Sequence, residues 1–363
     1  MTRKSLLLLT ALPLATLAFD DNGSYFQHKD WEIACDNTGT CRAAGYQAGD
    51  EVQAISLLLV RNAGADAAVQ GRIAIQGADW DEKTARPTGG ELYLDGNSLG
   101  AVTLGEGREG SKPDPDSYAA YGSLSRAQTD AALKAVAGNG TLSFRADKET
   151  WILSGAGAAA VLIKMDDYQG RVGTPSALIK RGSDKKAIPR PAKKPVIHAA
   201  AVPDTPPRVL HAGDAEYSAL HALLAAKAGD DCPLFAPPED GDAIPARDIT
   251  LYPLNAENTL VGSPCFLAAY NAGDYYAILG PDHKTLKTVV GDSADGLSYD
   301  NGYIAGFMKV RGPGDCSVAK LYAWDGNTFT YARGSGSSQC KSFAGGAWEL
   351  PTRVSTVIAP KKP

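Results

Sequence analysis

The sequence predicts an α+β protein of two domains, each a mainly antiparallel sheet with one or two packed helices, joined by a Pro/Lys-rich tether. Three observations carry this. Short apolar runs with strand periodicity recur between turn residues along most of the chain. Only three stretches have helical spacing with start and stop residues. Between Lys180 and Pro195 the composition turns abruptly basic and proline-rich.

Residues 1–18 read as a signal peptide. Arg3 and Lys4 precede an apolar run, Leu6–Leu17, that is too short to span a bilayer. Thr16-Leu17-Ala18 puts small residues at a cut site before Phe19. No later stretch reaches about 18 uninterrupted apolar residues, so no transmembrane segment is expected. The chain carries a net charge of −5. An acidic balance argues against nucleic acid as partner. Export to the periplasm is the expected localisation.

The first domain is expected over 19–179. Trp31–Cys35, Cys41–Tyr46, Val52–Val60 and Arg72–Gln76 read as strands, and Ile55–Val60 is apolar enough for a central one. Glu91–Leu94 followed by Asp95-Gly96 marks a hairpin. Ser125-x-x-Gln128 is a capping box that opens a helix over Arg126–Ala137, stopped at Gly138. A second helix is expected over Ala158–Asp167, capped by Ser154, with Val161, Leu162 and Met165 facing inward.

The linker is expected over 180–209. Seven cations stand between Lys180 and Pro195 against Asp184 alone, a net of +6, so the remainder carries −11. The prolines keep this stretch extended. The second domain, 210–351, should open with a helix capped by Asp214 and ended by Gly229. A meander of short strands then runs through Phe266–Tyr270, Tyr275–Leu279, Leu286–Val290, Tyr303–Val310, Lys320–Trp324 and Thr328–Tyr331. Residues 352–363 read as a frayed tail.

Six cysteines in an exported chain read as a disulfide set. Cys35 and Cys41 flank a turn within reach across a hairpin. For the rest, the expected pairs are Cys232–Cys265 and Cys316–Cys340. No C-x-x-C occurs and no histidine stands near a cysteine in sequence, so no metal site is expected.

The densest polar cluster is Met165-Asp166-Asp167-Tyr168-Gln169-Gly170-Arg171-Val172-Gly173-Thr174. Asp166 and Asp167 point about 100° apart on a helix and would not share a proton. The expected role is structural, with Arg171 bridging Asp167. Asp166, Asp167, Gln169, Arg171 and Thr174 are the candidate binding residues if the cluster is instead a site. Two glycine patterns, Gly105–Gly110 and Gly155–Ala160, match dinucleotide fingerprints only in letters: acidic residues and prolines spoil the first, and no ribose-binding acid follows the second. No cofactor is expected. His221 reads as a partly buried histidine, and Asp292–Gly296 lacks the ligand spacing of a calcium loop.

Asp30-Trp31, Cys35, Cys41, the 165–174 cluster with Ala177-Leu178, Arg311-Gly312-x-Gly314-Asp315-Cys316, Trp324-Asp325-Gly326, Phe329, Cys340 and Trp348-x-x-Pro351 stand in that order. This pattern resembles the domain-of-unknown-function 1176 family of exported bacterial proteins. The opening Trp-Cys-Cys section is similar to the invasion-associated locus B family. Neither resemblance implies a reaction.

The functional expectation is therefore a non-enzymatic periplasmic protein that binds an envelope protein or a glycan, with Tyr299, Tyr303, Trp324 and Phe329 as surface aromatics. The alternative is a periplasmic hydrolase using Asp167, Gln169, Arg171 and Thr174.

Overall fold

A computed structural model of the chain describes residues 19–49, 53–81, 83–105, 107–108, 118–236 and 247–360. The expected signal peptide lies outside these residues. The first half contains β1 (Ser24–His28), β2 (Trp31–Cys35), β3 (Cys41–Tyr46), β4 (Ala54–Arg61), β5 (Val69–Gln76), β6 (Gly89–Leu94), β7 (Asn97–Gly105), β8 (Ala120–Ser123), α1 (Arg126–Ala137), β9 (Leu142–Ala146), β10 (Glu149–Leu153) and α2 (Ala158–Tyr168). Its strands form one antiparallel sheet in the order β1-β2-β3-β4-β5-β8-β7-β6-β9-β10. The sheet curls until Trp151 of β10 meets the end of β5, where its indole donates to the Gln76 carbonyl at 3.1 Å. Both helices pack inside that curl, over a core that includes Ile33, Leu57, Ile73, Phe144, Trp151, Val161 and Met165.

α1 starts and stops where its caps require. Ser125 Oγ accepts from the Gln128 amide, and Gln128 Oε1 accepts from the Ser125 amide. α2 differs at its start. Its cap is Gly157, at φ 99°, and Ser154 Oγ instead donates to Asp30 at 2.6 Å. A side chain at Gly157 would collide with the His28 carbonyl. The small residues there allow close approach of helix and sheet.

The second half contains β11 (Val196–His198), β12 (Arg208–Leu210), α3 (Tyr217–Ala228), β13 (Ile249–Pro253), β14 (Thr259–Leu267), β15 (Ala272–Leu279), β16 (Leu286–Val289), β17 (Leu297–Asp300), β18 (Tyr303–Lys309), β19 (Ser317–Trp324), β20 (Phe329–Gly336), β21 (Pro351–Arg353) and β22 (Thr356–Ile358). β12–β16 and β17–β21 are two five-stranded antiparallel meanders. Trp324 and Phe329 are buried, and with the half-buried Tyr299 they join Tyr276 and Leu260 in a core between the sheets; Tyr303 is half-buried against Ala323 and Ala332. Trp324 and Phe329 therefore pack the interior, where their large apolar area is best removed from water, and Tyr299 and Tyr303 are half-covered against it.

α3 begins at Tyr217, two residues later than an Asp214 cap requires, because the Asp214 carboxylate accepts from the His211 amide at 2.8 Å. His221 stacks on Tyr217 and meets Phe235 edge-on. Asp292 caps a short turn and Asp295 pairs with Lys320. The strand expected over Phe266–Tyr270 ends at Leu267. Pro264 sits beside a register shift that leaves Cys265 out of the β14–β15 ladder. A proline has no amide for that ladder, which places it at an irregularity.

Two expected unstructured stretches contain strands. Within 180–209, β11 pairs in parallel with β22, and β12 opens the first meander. The expected tail, 352–363, is therefore not frayed over its described part. Val354 exchanges hydrogen bonds with Asn37 in both directions, at 2.8 and 3.2 Å. Strands three residues long give no readable periodicity, and their partners lie far away in sequence.

The segment 337–350 leaves β20 and crosses the outer face of the first sheet. Phe343, Ala347, Trp348 and Leu350 pack on Ala44, Tyr46, Leu58, Ala74 and Tyr121. β4 is thus covered on both faces, by the main core through Ile55, Leu57 and Leu59 and by this strap through Ala54 and Leu58. That double burial is why its sequence is a continuous apolar run. The disulfides join Cys35–Cys41 across β2 and β3, Cys232–Cys265, and Cys316–Cys340 at the root of the strap.

Candidate functional site

α2 ends in a Schellman motif. The Gly170 amide donates to the Asp167 carbonyl at 3.0 Å and the Arg171 amide to the Asp166 carbonyl at 2.6 Å. Gly170 has the left-handed φ of 66° that this motif needs. The turn sends Arg171 back beneath the helix and places Asp166 on its inner face.

Four of the five cluster residues come together in the interior. Asp166, Gln169 and Arg171 have no exposed surface and Thr174 has 2%. Asp166 Oδ1 lies 3.3 Å from Arg61 Nη1, while its Oδ2 accepts from the amides of Leu178 (2.6 Å) and Ile179 (3.2 Å). Arg171 donates to Gln169 Oε1 at 3.0 Å, to Ser176 Oγ at 3.2 Å and to the Gly64 carbonyl. Gln169 Nε2 donates to the carbonyls of Gly39 and Arg61 at 2.9 and 2.8 Å. Thr174 Oγ1 donates to the Arg171 carbonyl at 2.7 Å. Asp167 stands apart, pointing outward to Lys164 at 3.3 Å. Arg171 does not bridge Asp167; Arg61 pairs with Asp166 instead. The two carboxylates diverge on the helix, and only Asp166 faces β4.

Burial governs the electrostatics. It pushes the Asp166 carboxyl up, against the opposing pull of the Ile179 and Leu178 amides and Arg61. Burial, then the like charge of Arg171, lowers Arg61 to about 10, so it stays charged at neutral pH. Two buried cations face one buried anion, and backbone carbonyls together with Gln169 and Ser176 accept from the other guanidinium donors. The arrangement fixes chain segments and presents no open face to a substrate.

The segment it fixes is the wall of a groove. Leu178 and Ile179, held through their amides by Asp166, face Leu133 and Ala137 of α1 and Leu162 of α2 across a groove of about 600 Å³. Arg126, Asp130, Lys134 and Arg181 also line it. Arg126 engages Asp130 at 2.9 Å. The sequence marks some of these residues as helix ends or core positions but does not bring them together as a groove. The spacing of Arg126, Asp130, Leu133, Lys134 and Ala137 on one helix face was the available signal; the facing wall is brought by the turn after α2.

A second polar centre, also unmarked in the sequence, lies under the strap. Glu32 has no exposed surface. Its carboxylate accepts from Tyr46 and Tyr25 (2.6 Å each), Ser337 Oγ (2.7 Å) and the Ser338 amide (3.2 Å). Burial raises its pKa, although all four donors oppose the shift. Nearby, Lys341 Nζ donates to Asp30 at 2.8 Å and to the Gly49 carbonyl at 3.0 Å.

Searches among curated proteins and among solved structures give no match. A family profile described as a protein of unknown function (DUF1176) matches residues 25–355. With that match spanning both halves of the fold and all six cysteines, the chain belongs to the DUF1176 family.

Proposed function

We propose that this chain is an exported periplasmic protein that acts by binding an envelope component rather than by catalysis, with the groove between α1 and α2 as its binding face. The observation that carries the reading is the burial of Asp166, Gln169 and Arg171 with their polar atoms engaged inside the protein. A hydrolase needs its reacting groups within reach of substrate. Of Asp167, Gln169, Arg171 and Thr174, only Asp167 is exposed, and it is separated from the others. The groove sets an apolar floor of Leu133, Leu162, Leu178 and Ile179 beside four charged side chains, Arg126, Asp130, Lys134 and Arg181, which suits an amphiphilic partner. The leader and three disulfides support an oxidising compartment.

The test is photo-crosslinking in periplasm from a reactive residue at position 133, with position 227 on α3 as control. The reading expects adducts from 133 that Arg181→Glu removes without changing the melting temperature. Adducts only from 227, or substrate turnover that Thr174→Ala abolishes in a folded protein, would overturn it.

A further inference from the structure

Resting on the groove as binding face, we propose that it takes the acyl chain of an anionic phospholipid, whose phosphate is held by the basic rim and the basic run that continues from it. The floor is apolar, through Leu133, Leu162, Leu178 and Ile179. The rim carries Arg126, Lys134 and Arg181 against the single carboxylate of Asp130, which Arg126 engages. From Arg181 the chain continues into the stretch of net charge +6, in which Arg181, Lys185, Lys186, Arg190, Lys193 and Lys194 are exposed.

That stretch is laid on the same body as the groove. The Asp184 amide donates to the Gly173 carbonyl at 3.0 Å, Pro189 lies against Gly170, and the Ala192 amide donates to the Thr38 carbonyl at 3.1 Å. The basic run therefore starts at the groove, at Arg181, and is docked on the same half of the fold, on a chain whose other residues are net acidic. Four to eight clustered cations beside an apolar insertion site are the chemistry that holds anionic lipid headgroups.

The wall argues against a peptide. The amides of Leu178 and Ile179 are consumed by Asp166, so no strand edge is offered there for an extended peptide. A helix, about 10–12 Å across and rising about 5.4 Å per turn, fills such a volume in roughly one turn. An acyl chain needs only apolar contact along the floor and a cation at the mouth.

The experiment is flotation of the full mature protein with phosphatidylglycerol/phosphatidylcholine vesicles and with phosphatidylcholine vesicles, at low and high salt. Titration with lysophosphatidylglycerol accompanies it. The expected result is salt-sensitive flotation with the anionic vesicles alone. Lys134→Glu with Arg181→Glu should weaken it at least about tenfold. Ala137→Trp, which fills the groove, should abolish lysolipid binding with an unchanged melting temperature. Absence of flotation at low salt overturns the proposal, as does flotation that neither variant changes. A protein crosslinked at position 133 together with failure to bind lipid would keep the groove as binding face and overturn the lipid assignment. Tighter binding to an acidic peptide than to lysolipid would also overturn it.

Discussion

Ser337 donates its hydroxyl to the buried carboxylate of Glu32 at 2.7 Å, joining positions 305 residues apart. The bond is one end of the strap that runs from Ser337 to Leu350 over the outer face of the first sheet. Gln339, Lys341, Ser342 and Trp348 of the strap make further polar contacts with the first half, to the Lys29 carbonyl, Asp30, Gln76 and Ser56. The last part of the sequence thus completes the core begun by the first.

Glu32 makes the strap sensitive to pH. Burial raises its carboxyl in the folded state above its ordinary value. A raised acid favours the fold while protonated. Its contribution is fully present below the ordinary glutamate range and is lost as pH rises through the folded value. Thermal unfolding across pH 4 to 8 should show wild type losing stability relative to Glu32→Gln as pH rises. A wild type that gains on the variant across that window would refute the assignment.

Arg171→Ala removes donors from the fully buried Gln169 and from the half-buried Ser176 and Gly64 carbonyl. Leaving Gln169 Oε1 buried and unpaired, with the loss of the other two bonds and of the packed side chain, should cost about 2–4 kcal/mol. Asp167→Ala, on the outer face, should stay within about 0.5 kcal/mol. Urea denaturation of both variants separates the two carboxylate neighbourhoods; equal losses would contradict the burial described here.

Trp348 anchors the strap by packing edge-on against Tyr121 at 5.4 Å and donating to Ser56 Oγ at 2.8 Å. Trp348→Ala should cost about 3–5 kcal/mol. The strap should also become the first site of proteolysis, checked by mass spectrometry of early fragments. Cutting confined to 180–195 with unchanged stability would contradict the anchoring role.

Cys316–Cys340 closes a loop at the strap's root with a sequence separation of 24. Replacing both cysteines with serine should destabilise the protein by about 2–4 kcal/mol. Differential scanning calorimetry of the double variant checks this; a melting temperature equal to wild type would show that the strap needs no covalent root.

Local chemistry was the legible part. The α1 capping box, the Asp95-Gly96 turn and the apolar run of β4 each act within a few residues, and each appears in the structure as read. The Cys35–Cys41 pair was legible for the same reason. The cluster after α2 could be found but not wired, because the partner of Asp166 is Arg61, 105 positions away. Ser154 and Asp214 had the right chemistry for caps, but the distant Asp30 engages the Ser154 hydroxyl and the neighbouring His211 amide engages the Asp214 carboxylate instead. The strap gave no signal: Phe343, Ala347, Trp348 and Leu350 have no periodicity of their own and make sense only against Leu58 and Ala74. The surface aromatics failed as a reading because sequence alone does not say which face of a meander a second sheet covers.

Asp166 holds the Leu178–Ile179 wall of the groove through their backbone amides. Amide hydrogen exchange on Asp166→Asn tests it most directly, with Asp167→Asn as control. The account predicts that the amides of Leu178 and Ile179 lose protection in Asp166→Asn while those of Ile55 and Leu57 in β4 keep theirs, and that Asp167→Asn changes none of them. Unchanged protection at 178 and 179 in Asp166→Asn would contradict it.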